Sequence, residues 1–312
     1  MGTQRTRHPE VRCVAPVQAM LGEGPLWIAE DDAVCWVDIL QERLFRHVPA
    51  QARTDICALP CRLTALAPMA NAMLLCSGWN ALFRFDLRSG EFAQLTHSMP
   101  GPPGVRINDG ACHPDGAFWF GTMALDEHAA VGDFHRFAED GHCDRVAASF
   151  AITNGPAFSP RGDRGYFVDT LGRRILCGSM RDGRLIEPLQ RFAQIPQGDG
   201  FPDGITVDAE GGVWCAHWGG GRVTRFDADG RVSDVIRLPV SNVTKCIFGG
   251  AELDRLFITT ARKGLDDDAL AGQPLAGGLF EAEVDYRGVA PARYRGEPAI
   301  DAPTCTCVFE SS

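Results

Sequence analysis

Short apolar runs rich in aromatic and β-branched residues recur along the whole chain: VCWVDI (34–39), MLLCS (73–77), AFWFGT (117–122), GYFVDT (165–170), GVWCAHW (212–218) and RLFITT (255–260). Each is too short for a typical helix and is flanked by turn formers, so each reads as a buried strand. With Trp36, Leu75, Trp119, Phe167, Trp214 and Phe257 as markers, the steps are 39, 44, 48, 47 and 43 residues. A further strand follows each marker strand (LFRHV, LFRFD, DFHRF, ILCGS, VTRFD, LFEAE), and another precedes it (GPLWIA, LTALAPM, GACHP, NGPAFSP, GITVDAE, KCIFGG). Runs such as GRVSDVIRLP supply a fourth element, and turns such as SPRGD, DAEGG and DADG lie between units. Four short strands repeated six times predict an all-β chain, a six-bladed β-propeller of four-stranded blades. Two β-sandwiches would not require a constant repeat. No helical period competes, and the longest loops are 124–132 and 262–276. The expectation is one domain over 1–312, with 1–11 a flexible N-terminal segment. Ring closure is expected to pair EVRCVAPV with the last blade and so protect exposed strand edges.

Composition narrows the partners. The chain has 312 residues, 30 Lys+Arg against 40 Asp+Glu, and a formal charge of −10. That acidic balance argues against nucleic acid or an anionic membrane surface. No run reaches the ~18 apolar residues of a membrane span, and no apolar segment follows the basic start, so a soluble, cytoplasmic protein is expected, a monomer or weak homodimer. Met1, Gly2 and Thr6 satisfy a minimal myristoylation pattern, one that recurs by chance. The 12 cysteines sit mostly inside apolar runs, without paired CxxC knuckles, and read as small buried hydrophobes; Cys305 and Cys307 alternate on a late strand. Gly-rich GDGFPDG and WGGGRV lack the setting of a phosphate cradle, and neither GxSxG nor HExxH occurs.

The first strand of every propeller blade lines the central channel, so equivalent positions in different blades converge on one axis. Glu23, Asn108, Asn154 and Asp203 enter those strands 13, 11, 13 and 11 residues before their markers, each in a Gly-containing turn: GEGP, NDGA, NGPA and PDGI. Such turns are common in any all-β chain, as DADG (227–230) and MRDG (180–183) show; shared register sets these four apart. Two carboxylates and two amides make an all-oxygen site for a hard divalent cation such as calcium, magnesium or manganese. Blades two and six carry Arg62-Leu63-Thr64 and Asn242-Val243-Thr244 instead.

LGEGPLW, RINDGACHPDGAFWFGTM, TNGPAFSP, FPDGITVDAEGGVWCAHWGGGRVTRFD, CIFGGAELDRLFITTA and AGGLFEAEV together resemble the senescence-marker-protein/gluconolactonase/regucalcin-like family, in order, over residues 12 to 290. The resemblance implies a six-bladed propeller with one divalent cation in its channel (zinc and iron being tolerated as well) and hydrolysis of sugar lactones. By motif, Glu23, Asn154 and Asp203 match the metal ligands, Arg106 and Asn108 the substrate contacts, and Asp203 also the proton acceptor.

The chemistry is coherent with those residues. Opening an aldonolactone needs a polarised carbonyl, an attacking water and stabilisation of the developing oxyanion. Asp203 can accept the water's proton, or only orient that water if a cation weakens its basicity; Arg106 can donate to ring oxygens. Further candidates for substrate contact are His217 at the channel mouth, Lys245 if its side chain faces inward, and Asp126 (or Glu127) in a lid formed by MALDEHAAVGDF. Each has a plain structural alternative: a hydrogen-bonded core histidine, a solvated lysine, a solvated loop. The expected substrate is a glucono-, xylono-, arabinono- or galactonolactone. Two other readings use the same residues: hydrolysis of an organophosphate or other ester, and a non-enzymatic calcium-binding regulator.

Overall fold

The computed structural model describes residues 9–95, 104–297 and 304–311. The Met1-Gly2 pattern and most of the expected flexible segment lie outside them. The chain forms six antiparallel sheets arranged in a ring, a six-bladed β-propeller. The innermost strands of blades one to six are Gly22–Ile28, Leu63–Pro68, Val105–Cys112, Thr153–Phe158, Phe201–Val207 and Val243–Gly249. Each packs beside the innermost strands of its two neighbours, so the six enclose one channel.

All six marker residues fall on the second strand of their blades and are buried. Aromatic rings from the innermost and second strands fill the gaps between blades. Trp27 of blade one stacks on Phe257 of blade six at 5.8 Å, Trp119 of blade three lies 6.0 Å from Phe167 of blade four, and Trp214 of blade five meets Phe248 of blade six edge-on at 5.7 Å. Each such ring removes a large apolar area from water, and one large buried apolar residue at the same place in each repeat, aromatic in five blades and Leu75 in blade two, gives the sequence its period.

The ring closes as expected. Val11–Ala15 pairs antiparallel with Leu279–Glu283 and becomes the outermost strand of blade six, so the first and last parts of the repeat array share a sheet. The strand begins at Val11, inside the segment expected to be flexible. Two further additions carry no repeat signal. Cys305–Thr306 pairs with Glu91–Gln94 of blade two, and Phe309–Ser311 pairs with Arg53–Ala58 of blade one, covering both outer edges. Cys305 is exposed and Cys307 buried. The 262–276 loop contains a helix, Asp267–Gly272, capped by the Asp266 side chain accepting from the Ala269 amide. Six residues are too few to show a helical period. No helix among the described residues is long and apolar enough to cross a membrane.

One irregularity repeats six times. In every blade the innermost strand carries one more residue than its partner at the same place. From Glu23 to Leu26 is three steps, but the partner moves two, from Val37 to Cys35. Equivalent bulges fall at Leu63/Ala65, Ile107/Gly110, Asn154/Ala157, Pro202/Ile205 and Val243/Lys245. A bulge breaks the in-and-out alternation and re-aims a side chain. These bulges lie toward the entry end of the channel, the end rimmed by the loops that follow each second strand.

Candidate active site

The sixfold bulge places Glu23, Thr64, Asn108, Asn154, Asp203 and Thr244 at one level of the channel. Blades two and six contribute only threonines there, and both are satisfied internally. Thr64 Oγ1 pairs with Ser77 Oγ at 2.9 Å, and Thr244 Oγ1 donates to Gly22 O at 2.6 Å. The remaining four blades supply two carboxylates and two amides. Glycine is required beside them. Gly24 has φ +56°, and a Cβ there would lie 3.1 Å from Ala65 Cα.

Glu23, Asn154 and Asp203 are all buried. Burial, with the nearby Asp109 charge, pushes the Glu23 carboxyl up to about 8, while Lys245 opposes the shift. Burial, followed by the Glu23 and Asp109 charges, raises the Asp203 carboxyl well above its ordinary range. Two buried carboxylates raised in this way, with the Glu23 charge acting on Asp203, call for a shared proton or a cation. The third member is an amide. Asn154 Nδ2 donates to Thr170 Oγ1 at 3.0 Å, which leaves Oδ1 as an acceptor; it takes one hydrogen bond, from Asn108 Nδ2 at 3.1 Å, and keeps a second lone pair. Among the described residues no cluster of three or more His, Cys, Asp or Glu side chains is positioned for a metal. The donor set is two carboxylates and one amide oxygen, suited to a hard cation with water in the open positions.

Asn108 is spent differently. Its amide nitrogen donates to Thr153 O at 2.7 Å as well as to Asn154, and its oxygen accepts from Arg106 Nη1 at 2.8 Å. It links Arg106 to Asn154, and its oxygen, having accepted one hydrogen bond, keeps a second lone pair as Asn154's does. Arg106 is buried, also donates to Ile107 O, and has its guanidinium 5.9 Å from the Trp79 ring. Burial lowers its pKa to about 10, against the opposing pull of Glu127 and Glu23, and it stays cationic at neutral pH.

The other sequence candidates separate. Lys245 does face inward, and its Nζ is already bound, 2.5 Å from Asp109 Oδ1. His217 is buried at the end of the second strand of blade five, with Nδ1 2.7 Å from Asp199 O and no partner for Nε2. Burial lowers its pKa to about 4, so at neutral pH the ring is uncharged. Asp126 is not brought to the others. It is exposed, and its carboxylate accepts from the His128 and Ala129 amides of its own turn. The adjacent Glu127 is the residue that turns toward Arg106, and it pairs with Lys263 from the loop after the second strand of blade six. The two longest rim loops therefore meet through an ion pair at the channel mouth.

Asp109 is the site residue that sequence reading passed over. It is the middle residue of NDG, where its letter reads as turn chemistry; register on the bulge was the available signal. Its Oδ1 accepts from Gly110 N and from Lys245, and its Oδ2 from Gly155 N at 2.9 Å.

A family profile described as the SMP-30/Gluconolactonase/LRE-like region matches residues 21–262, which spans all six innermost strands. The chain belongs to this family. An L-arabinolactonase of Azospirillum brasilense is 38% identical over 299 residues, covering 93% of this chain and 98% of the relative. A pentonolactonase of Haloferax volcanii is 32% identical, covering 88% and 94%. Among solved structures, a calcium-binding protein, regucalcin, from Agrobacterium tumefaciens superposes with a TM-score of 0.85 at 32% identity, covering 92% of this chain and 98% of that one.

Proposed function

We propose that this protein hydrolyses a sugar lactone to the aldonic acid, using one divalent cation held by Glu23, Asn154 and Asp203. The observation that carries the reading is the set of buried oxygen donors on equivalent bulges, in a chain whose lactonase-named relatives align along nearly its full length. A cation bound there supplies Lewis acidity toward the lactone carbonyl. The chain's own groups do the rest. Asp203 orients the attacking water and is the nearest group able to take its proton. Arg106, cationic and fixed by Asn108, donates to the oxygen on which negative charge develops. As water's oxygen bonds to the carbonyl carbon, the ring C–O bond breaks. The proton passes to the former ring oxygen, leaving a hydroxyl and an acid. Neutral His217 and the Glu127–Lys263 pair stand at the mouth, where hydroxyl-bearing ring carbons would enter.

Polar donors and acceptors around this level favour a polyhydroxylated substrate over an apolar organophosphate. The pentose-lactone names of two relatives favour a five-carbon lactone. The test is acid release from a panel of pentono- and hexonolactones with calcium, magnesium, manganese or zinc, by native protein, chelator-treated protein and Glu23→Gln. Turnover should require the cation and be lost in Glu23→Gln. Equal turnover in all three would overturn the reading; cation binding without turnover of any lactone would favour the calcium-binding regulator.

A further inference from the structure

The innermost strands also hold an ion pair that spans the channel. Lys245 belongs to blade six and Asp109 to blade three, on opposite sides of the ring, and both are almost fully buried. The Lys245 stem passes directly over Gly204, where a Cβ would fall 2.4 Å from Lys245 Cγ, so the lysine runs against the backbone next to Asp203. Its charge acts on both carboxylates of the cluster, opposing the rise at Glu23 and at Asp203. An ammonium whose stem runs beside Asp203 and whose charge reaches both buried carboxylates is a natural competitor for a divalent cation, since each salt bridge it formed with them would occupy oxygens the cation needs.

Asp109 is built to prevent this. Three donors fix its carboxylate: Lys245 Nζ and its own following amide on Oδ1, and the Gly155 amide on Oδ2. It is adjacent to Asn108 and, through Gly155, to the backbone of Asn154. We propose that Asp109 is a positioning residue that holds the Lys245 ammonium off Glu23 and Asp203. Asp109 and Lys245 then cancel, −1 and +1, and the remaining formal charge of the cluster is −2, from Glu23 and Asp203, matched by one divalent cation. The inference rests on the reading of Glu23, Asn154 and Asp203 as cation ligands.

The test is a binding cycle with Mn²⁺ alone, read by calorimetry or by loss of the free-ion EPR signal, with lactone absent. Wild type, Asp109→Asn, Lys245→Met and the double variant are compared, each first shown to be folded by its melting transition. Asp109→Asn frees the ammonium and should weaken Mn²⁺ binding at least about tenfold. The double variant removes the competitor as well and should return to within about threefold of wild type. If Asp109→Asn does not fold, Lys245→Met still decides, because without the competitor it must bind Mn²⁺ at least as tightly as wild type. Unchanged affinity in Asp109→Asn, no recovery in the double variant, or weaker binding by Lys245→Met each overturns the proposal. Wild-type protein that binds no Mn²⁺ overturns the reading of the cluster itself, and this inference with it.

Discussion

The entry and exit halves of the channel are made from the same six strands, and they could hardly differ more. The entry half carries the bulges and gathers Glu23, Asn108, Asp109, Asn154 and Asp203. Beyond the bulges the ladder regains register, and the strands present Leu26, Leu66, Ala157, Ile205 and Val207. That half borders a partly open cavity of about 130 Å³, lined mainly by these apolar residues and by Val289–Ala292, with Ser159, Thr206 and Lys245 as its polar members. A polyhydroxylated ring would lose most of its hydrogen bonds to water there, with few polar groups such as Ser159 and Thr206 to replace them, so the cavity suits it less than the bulged half. One extra residue per strand is what separates the two chemistries. Regular pairing builds a core, and the bulge suspends it where polar groups are needed.

Substitutions in the two halves should therefore fail in different ways. The largest effect is expected in the entry half. Arg106→Met removes the donor to the developing charge and should lower kcat/KM about 10³-fold, with a melting temperature near that of wild type. Equal loss in an exit-half variant would erase the distinction. In the exit half, Leu66→Ala should cost about 3 kcal/mol of stability and leave the turnover of folded protein unchanged. Denaturant titration beside an activity assay separates the two.

His217 tests the rim through pH. Its folded pKa is depressed to about 4, so its stabilising contribution is present above the unfolded value of 6.5 and is lost as pH falls through about 4. His217→Gln should flatten that part of the stability curve by about 3 kcal/mol relative to wild type. A curve parallel to wild type across this window would show that the ring titrates freely. The smallest effects are expected in the lid. Asp126→Asn should leave KM within about twofold of wild type, and Glu127→Gln should raise it about three- to tenfold. The reverse order would place Asp126, not Glu127, at the substrate.

Sequence reading reached the architecture because a propeller writes itself as a period. One large buried residue per second strand, from Trp36 to Phe257, fixes the blade count, and the N-terminal strand was foreseeable from the need to cover an edge. A late strand at Cys305 was legible in the sequence, but it stops at Thr306 before Cys307, and the pairing of both C-terminal strands with blades one and two escaped because two- and three-residue additions leave no pattern. The site was legible as residue types in register, but not as partnerships. Nothing in NDG tells the Asn that braces Arg106 from the Asp that binds Lys245. Nothing in LDE tells the exposed Asp126 from the inward Glu127, since a left-handed turn at Glu127, φ 62°, decides which one faces the mouth. Pairs such as Lys245–Asp109 and Lys263–Glu127, each 136 residues apart in sequence, exist only once the ring is closed.

The central claim is that the bulged entry half performs cation-assisted opening of a sugar lactone with Asp203 at the reacting water. Its most direct test is kcat for a pentonolactone by Asp203→Asn at saturating divalent cation, with cation binding measured on the same sample. The expected result is roughly 10³-fold lower kcat in a protein that melts no lower than wild type, since one of two mutually repelling buried carboxylates has been removed. A kcat within tenfold of wild type, with the cation bound, would contradict it.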